Sequence, residues 1–474
     1  MGKIICGELK YNNNLYYFNF RDNILVIQPK KMEDYNKWWI DNFLNNKYDL
    51  NDRINIDGET NEGKYICFID IKFTKLGRGI LQSFVPAYVL GTTNLIEPLP
   101  TCTKIEKMIY EGESLDKFCY PKRIIKHNDL LHDKNVKVEI DCSRYKNKEF
   151  IIDKDIYRYD IKWIMPVSSD INNVLNVKTQ LSVIFSKCKN INEVIKYYRN
   201  IEKFFCFINN RRIVKFTDIK LKKKEKVQFG NKNELEDVEI EFVLHITYPQ
   251  QEIDLLDNFN CIRLDDLEKK YKKLYKFIID DDFLVQYYPL NRKENNNVNN
   301  DKFVQVSSAF ESEFRKLFPN FKSNISDEYK IIKAGILNHI SNKKKRINKQ
   351  VTDSNKKQLS KELKYCDYFY KIISGIDGTL EEKIKYSFNR YNRILEKKKN
   401  TLLKNYNIEK AKNTVLAKVF SNRRNKISHG ELTRDFNDLE IISYILLRIC
   451  IYCITLERCN FTYNEIDIMV NKIF

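Results

Sequence analysis

Hydrophobic and polar residues alternate along much of the first 250 residues. Residues 69–73 (IDIKF) and 136–140 (VKVEI) show the period of two that is typical of half-buried strands. The polar residues 21–23 separate two apolar runs, 15–20 and 24–27, which predicts a hairpin. Because no helical pattern separates many of these strands, the sequence favours an antiparallel sandwich or barrel-like arrangement.

The period of the pattern then changes. Five apolar residues are spaced by four, three, four and three, which predicts an amphipathic helix: Val194, Tyr198, Ile201, Phe205 and Ile208. Alternation returns at 238–242, and from Leu264 to Ile278 the spacing is helical again. The β-rich part is therefore expected to end near residue 250.

The polar, asparagine-rich segment 289–301 predicts a linker, and the pattern after it is helical throughout. Three further apolar stripes are Phe303, Val306, Phe310, Phe314 and Leu317; Leu359, Leu363, Cys366, Tyr370 and Ile373; and Val415, Leu416, Val419 and Phe420. The segment 439–456 is apolar nearly all round and should form a central helix, with Asn437 and Glu440 as its capping box. Gly430 is expected to end the helix before it.

These patterns predict an α+β protein. The β-rich region spans 1–250, a helical connector and linker spans 251–300, and an all-α bundle spans 301–474.

The composition of the 474 residues, 43% hydrophobic and 31% charged, is that of a globular chain. The first residues lack the apolar core of a secretory signal, and the longest apolar run, 441–456, is interrupted by Arg448. We therefore expect a cytoplasmic protein without a membrane segment. The 12 scattered cysteines are expected to be reduced.

Two groups of residues leave a zinc site open as an alternative. Cys450, Cys453 and Cys459 are close in sequence but lie in the most apolar segment, where cysteine usually packs as a small hydrophobic residue. The second group has no recognised metal-binding spacing: Cys119, His127, Asp129 and His132.

The net charge of +19 is concentrated towards the C-terminus, because residues 301–474 contribute +14 and the first 300 contribute +5. Such an excess permits a polyanionic partner. The alternative is a lysine content raised by the coding bias of an A/T-rich genome. The basic stretches 341–349 and 395–400 are typical of solvated faces.

Candidate chemistry is concentrated in residues 423–430, RRNKISHG, at the junction of two predicted helices. Histidine can take a proton from a ribose 2′-hydroxyl, and an arginine fork suits a phosphate and its transition state. Arg424 and His429 are five residues apart and diverge by about 140° on an ideal helix, so they converge best at a helix end.

The string RNKISHG, in a helical region before a long apolar helix, resembles the R-x4-6-H motif of HEPN (higher eukaryotes and prokaryotes nucleotide-binding) ribonucleases. Residues 303–318, FVQVSSAFESEFRKLF, are similar to the opening helix of the ApeA-like HEPN subgroup. The β-rich half also resembles the N-terminal region of that subgroup, most clearly at 204–221, FFCFINNRRIVKFTDIKL.

The resemblance implies that Arg424 and His429 are the catalytic pair and that Asn425 is the polar residue after the arginine. Arg423 and Lys426 are expected on a solvated or RNA-facing surface, as RNA-binding residues outside the chemistry. It further implies a HEPN homodimer, or a larger homo-oligomer, with one composite site that uses no metal ion and no cofactor. The activity implied is cleavage of host RNA, tRNA in particular, in bacterial antiphage abortive infection, with a phage-derived trigger sensed by the β-rich region.

Several alternatives stay open. A HEPN domain can lack turnover and serve as an RNA-binding or dimerisation module, whereas a DNA-binding regulator would need a helix-turn-helix signature that the sequence lacks. His429 could bond the last carbonyls of its helix, and Arg424 could be an ordinary surface cation. Glu311 could pair with a basic group near the motif or be a surface glutamate.

Overall fold

The computed structural model divides into two compact units, Met1–Asp282 and Phe283–Phe474, which are described separately. The residues that it describes are 4–11, 14–31, 52–77, 80–91, 101–120, 125–127, 138–140, 148–153, 157–164, 178–228, 235–248, 261–267, 270–280, 287–289, 294, 297–321, 327–350, 356–375, 379–432 and 435–474.

The first unit is built on antiparallel strands. They are β1 (Ile5–Tyr11), β2 (Asn14–Arg21), β3 (Ile24–Pro29), β4 (Ile54–Thr60), β5 (Tyr65–Ile71), β6 (Thr74–Gly77), β7 (Ile80–Phe84), β8 (Ala87–Gly91), β9 (Ile105–Glu111), β10 (Ile125–His127), β11 (Val138–Ile140), β12 (Lys148–Asp153), β13 (Tyr157–Ile164), β14 (Lys178–Lys189), β15 (Asp218–Gln228) and β16 (Leu235–Ile246). One sheet has the order β12-β13-β14-β9-β15-β16-β8-β5-β4-β1-β2-β3-β7-β6, and β10 pairs with β11.

The first predicted hairpin is confirmed. Strands β2 and β3 pair with Arg21 opposite Ile24, which leaves Asp22 and Asn23 as a two-residue turn. Both turn residues have positive φ, 49° and 66°, as the tight turns that match strand twist require. The short polar side chains of Asp and Asn tolerate this backbone better than most residues do.

The N-terminal part of the sheet curls back on itself around an aromatic core. In the strand order, β1 and β4 lie between β2 and β5, so a flat sheet would separate β2 from β5 by about 14 Å. Instead, the Phe18 and Phe20 rings of β2 lie 5.4 and 5.3 Å from the Phe68 ring of β5. Phe20 also lies 4.9 Å from Tyr88 of β8. The antiparallel, barrel-like expectation therefore agrees with the structure.

Four helices accompany these strands in the described part of the first unit: α1 (Glu113–Cys119), α2 (Ile191–Asn209), α3 (Leu264–Leu267) and α4 (Tyr271–Asp280). Helix α2 is confirmed, because all five residues of the predicted stripe are buried. Its start is fixed by a capping box between Asn190 and Glu193. Helices α3 and α4 belong to this first unit, and α4 packs on α2.

The second unit is helical in its described residues, so the α+β class is confirmed. Its helices are α5 (Asn300–Leu317), α6 (Asp327–Gln350), α7 (Lys356–Gly375), α8 (Leu380–Arg390), α9 (Asn392–Asn405), α10 (Asn413–Ser428), α11 (Asp438–Arg458) and α12 (Tyr463–Ile473). The predicted capping box begins α11. Helix α11 is long and apolar enough to cross a membrane, but 78% of its most apolar window is buried, which identifies it as a core helix.

Apolar stripes on α5 and α10 pack on α11, although two predicted positions do not join the core. Phe303 of α5 is stacked on Phe420 of α10 at 4.2 Å and on Tyr444 of α11 at 5.8 Å. Tyr370 and Val415, in contrast, are 46% and 42% exposed. Val415 lies at the edge of its stripe, whereas Tyr370 lies near the middle of the stripe on α7.

A half-buried carboxyl group, that of Glu202, makes the stability of the first unit depend on pH. The Tyr198 hydroxyl donates to Glu202 Oε1 at 2.9 Å and lies 2.8 Å from the Tyr248 hydroxyl. Burial raises the pKa of Glu202 from 4.5 to about 7. Between these values the native chain keeps a proton that the unfolded chain has lost, so the free energy of unfolding falls as pH rises.

We therefore expect the stability of the first unit to decrease from pH 5 to pH 7 by up to about 1.4 kcal/mol per pH unit. A Glu202→Gln variant keeps a neutral side chain and should lose this dependence. Urea unfolding at pH 5, 6 and 7 measures it. Equal slopes in the variant and the parent would contradict the assignment.

Candidate functional site

The motif lies at the C-terminal end of α10, where the helix is closed by a backbone motif. The Glu431 amide donates to the Lys426 carbonyl at 3.0 Å, and the Gly430 amide donates to the Ile427 carbonyl at 3.0 Å. This pair of bonds is the Schellman arrangement, which requires a left-handed residue between helix and loop. Gly430 supplies it with φ of +87°. The predicted end of the helix is confirmed, and His429 is its C-cap residue.

One face of α10 is exposed along its whole length. Five residues spaced by three and four are exposed: Val415, Lys418, Asn422, Asn425 and His429. Within the described residues the His429 imidazole makes no hydrogen bond or ion pair, although its backbone amide donates to the Asn425 carbonyl at 3.0 Å. The alternative in which the imidazole bonds the last carbonyls of the helix is therefore not what the structure shows.

Arg424 lies on the flank of α10 that faces α5. Its Nη2 atom is 3.9 Å from Glu311 Oε2, and its Nη1 atom donates to Asn425 Oδ1 at 3.4 Å. Lys383 Nζ lies 3.5 Å from the other Glu311 oxygen, so the carboxylate is shared between two cations. The Arg424 side chain is still 35% exposed. Of the two alternatives for Glu311, the structure shows the one in which it pairs with a basic group of the motif.

The structure does not bring every predicted site residue together within one chain. Arg424 is in contact with Asn425 and Glu311, whereas His429 lies on the exposed face. This separation agrees with the divergence of about 140° for residues five apart on a helix. A single chain thus offers an anchored guanidinium and an outward imidazole on different sides of the last turn.

Arg423 differs from the sequence expectation of an RNA-facing position. It is 9% exposed, its Nη2 atom donates to the Asp435 carbonyl at 2.7 Å, and its guanidinium lies 4.5 Å from the centre of the Phe436 ring. Its Nε atom is 3.7 Å from Glu440. Arg423 therefore ties α10 to the start of α11. Lys426 is exposed, as an RNA-facing residue must be.

Sequence reasoning missed Lys383. It reaches the site from α8, which packs on α10 and has the buried apolar residues Ile384 and Phe388. No spacing relative to the motif could reveal it, because the packing of a separate helix brings it close. The apolar stripe of α8 was the one available signal, since it shows which face of α8 turns inward.

The alternative zinc sites receive no support from the described residues. Cys450, Cys453 and Cys459 are fully buried, and burial raises the pKa of the Cys450 and Cys453 thiols. Cys119 is also buried. The side chain of His127, together with Asp129 and His132, lies outside the described residues. Within the described residues, no three His, Cys, Asp or Glu side chains are grouped to hold a metal ion.

No protein-family model, curated protein or solved structure matches this chain. The likeness to HEPN ribonucleases therefore depends on the string at the end of α10 and on the helices around it.

Two glycines provide a matched test of the helix end that presents His429. A Cβ atom at Gly430 or at Gly335, which lies within α6, would meet nothing within 4 Å. Gly430→Ala must still adopt a left-handed backbone and should lower the free energy of unfolding by about 1 kcal/mol. Gly335→Ala should raise it by about 0.5–1 kcal/mol, because alanine favours the helix. Urea unfolding followed by far-ultraviolet circular dichroism measures both, and an unchanged or more stable Gly430→Ala variant would contradict the assigned cap.

Proposed function

We propose that this protein is a metal-independent endoribonuclease of the HEPN type. In this proposal it acts as a homodimer in the bacterial cytoplasm and cuts host RNA, tRNA foremost, in abortive infection against phage. The β-rich unit would sense the phage-derived trigger. The observation that carries the proposal is the exposed imidazole of His429, the C-cap residue of the same helix that holds Arg424 against Glu311.

His429 would transfer the protons. An imidazole gains and loses a proton readily near neutral pH, so it can accept the proton of a ribose 2′-hydroxyl or return one to the leaving 5′-oxygen. This chemistry requires that RNA can reach the ring. The exposure of His429 and the absence of a competing partner among the described residues support that role.

Arg424 would bind the scissile phosphate. Its planar fork can donate two hydrogen bonds to phosphate oxygens and stabilise the extra negative charge of the transition state. Contacts with Glu311 and Asn425 restrict where the guanidinium lies, and the exposed third of the side chain is open to a ligand. Because an arginine–carboxylate pair at 3.9 Å in a half-exposed place is weak, a phosphate can compete with Glu311.

The separation of Arg424 and His429 on one helix end supports a site made by two chains. If two chains associate through these exposed faces so that the C-terminal ends of their α10 helices meet, each imidazole is carried towards the other copy of the motif. The composite site would then combine groups from both chains. The uncharged residues Val415, Asn422 and Asn425 on that face reduce the electrostatic cost of bringing two basic chains together.

One observation favours a second candidate, a HEPN module that binds RNA without cutting it. Within a single chain the proposed acid–base group and the proposed phosphate ligand point in different directions. If the exposed face of α10 does not pair with a second copy, the chain retains cations for RNA but lacks a complete site.

We expect His429→Ala to lower RNA cleavage by at least 10²-fold, the usual contribution of a general acid–base group. Arg424→Ala should reduce cleavage comparably, and Arg424→Lys should restore little, since lysine lacks the fork. Lys410→Ala is the matched control, because it removes an exposed cation that lies before α10, outside the motif, and should leave cleavage unchanged. Cleavage of a labelled tRNA, resolved on a denaturing gel, measures these effects.

The products provide an independent criterion. Attack by the neighbouring 2′-hydroxyl leaves a 2′,3′-cyclic phosphate or 3′-phosphate and a 5′-hydroxyl, with the same yield in EDTA. Cleavage that survives His429→Ala, or that requires added Mg²⁺, would overturn the proposal. RNA binding without cleavage under all conditions would support the second candidate.

A further inference from the structure

Helices α6 and α7 form a hairpin that packs chiefly on itself. Its internal contact is thin, because Ile347 and Cys366 are its buried apolar residues among those described. Lys344 is paired with Asp367 across the hairpin. Seven large apolar side chains of these two helices are more than 40% exposed: Ile331, Ile332, Ile336, Tyr365, Tyr368, Phe369 and Tyr370. This exposure suggests that the hairpin carries a binding surface.

One face of α7 combines lysine with tyrosine. Lys361, Lys364, Tyr365 and Tyr368 are spaced by three, one and three, so they share one side of the helix, and all four are exposed. The two tyrosines are 63% and 62% exposed. We refer to these four residues as the lysine–tyrosine face.

The net charge of the hairpin indicates which kind of partner can bind the lysine–tyrosine face. Residues 327–375 contain twelve Lys and Arg against five Asp and Glu, so this short segment contributes +7 of the net +19. A second copy of the chain would bring the same positive charge to the contact and be repelled. A polyanion is attracted instead, and exposed aromatic rings beside lysines offer unpaired bases a surface to stack on.

We propose that the lysine–tyrosine face binds single-stranded RNA, with Lys361 and Lys364 at the backbone phosphates and bases stacked on Tyr365 and Tyr368. The inference deepens the proposed nuclease function and rests on it for the choice of RNA. The face would hold an unpaired segment of the substrate, such as a loop, while the motif on α10 acts on the strand. Stacking requires the rings and not their hydroxyl groups, which gives the proposal a specific test.

The test measures binding without cleavage. In the full-length chain carrying His429→Ala, fluorescence anisotropy with a labelled 12-nucleotide single-stranded RNA reports affinity. Tyr365→Ala with Tyr368→Ala should weaken binding by at least tenfold, since stacking on each ring contributes a substantial factor. Tyr365→Phe with Tyr368→Phe keeps both rings and should bind within twofold of the parent. Circular dichroism confirms that each variant is folded.

Three further measurements distinguish single-stranded RNA from other partners of the lysine–tyrosine face. Ile331→Ala with Ile332→Ala removes exposed apolar surface elsewhere on the hairpin and should leave RNA affinity unchanged. Lys361→Gln with Lys364→Gln should reduce the slope of log affinity against log salt by about 1.4, the contribution of two phosphate contacts on a single strand. A fully paired RNA of the same sequence should bind more weakly and be insensitive to the tyrosine changes, because its bases are already stacked.

Equal RNA affinity of the alanine variant and the parent would overturn the proposal, as would tyrosine-independent preference for the duplex. A smaller assembly mass for the alanine variant, with RNA affinity unchanged, would show instead that a second copy covers the face. These outcomes are distinct from failure of the nuclease. RNA affinity that does not depend on the tyrosines, with His429-dependent cleavage intact, overturns this inference alone, whereas tyrosine-dependent binding without any cleavage overturns the proposed nuclease alone.

Discussion

Burial of the apolar helix α11 is the interaction on which the C-terminal site depends. Its sides are covered by neighbours that include α5 and α10, and the stacked rings of Phe303, Phe420 and Tyr444 join the three helices. Since α5 and α10 are both held on α11, Glu311 on one comes within ion-pair distance of Arg424 on the other. Hydrophobic packing therefore supplies most of the free energy that holds Glu311 near Arg424, because the half-exposed ion pair itself contributes little.

Because of this packing, the two adjacent arginines of the motif have different surroundings. Arg423 and Arg424 differ by about 100° around α10, enough to place one guanidinium against Phe436 and the other on the flank of α5. Arg423 satisfies a carbonyl in the segment after the motif, so it stabilises the position in which His429 is presented. Two identical side chains, one residue apart, thus have structural and candidate chemical roles respectively.

Features that depend on local chemistry could be predicted from the sequence. Caps and turns need particular residues at particular backbone angles, which is why the Asp22–Asn23 turn, the Asn437 capping box and the Gly430 helix end could all be predicted. Features that depend on packing between distant segments could not. The burial of Arg423, the arrival of Lys383 and the closure of β2 towards β5 are set by how whole elements meet.

For the same reason, the candidate catalytic residues could be identified from the sequence, whereas the way in which two chains would associate could not. The spacing of Arg424 and His429 fixes their divergence on the helix, and the structure leaves the imidazole outward. Bringing such groups together by bending one chain would require breaking the Schellman bonds at 426–431, whereas the pairing of two chains that we propose would leave these bonds intact. Under the proposed function, self-association through the exposed face of α10 would therefore complete the site, and the hairpin of α6 and α7, with its charge of +7, would remain open to a ligand of opposite charge.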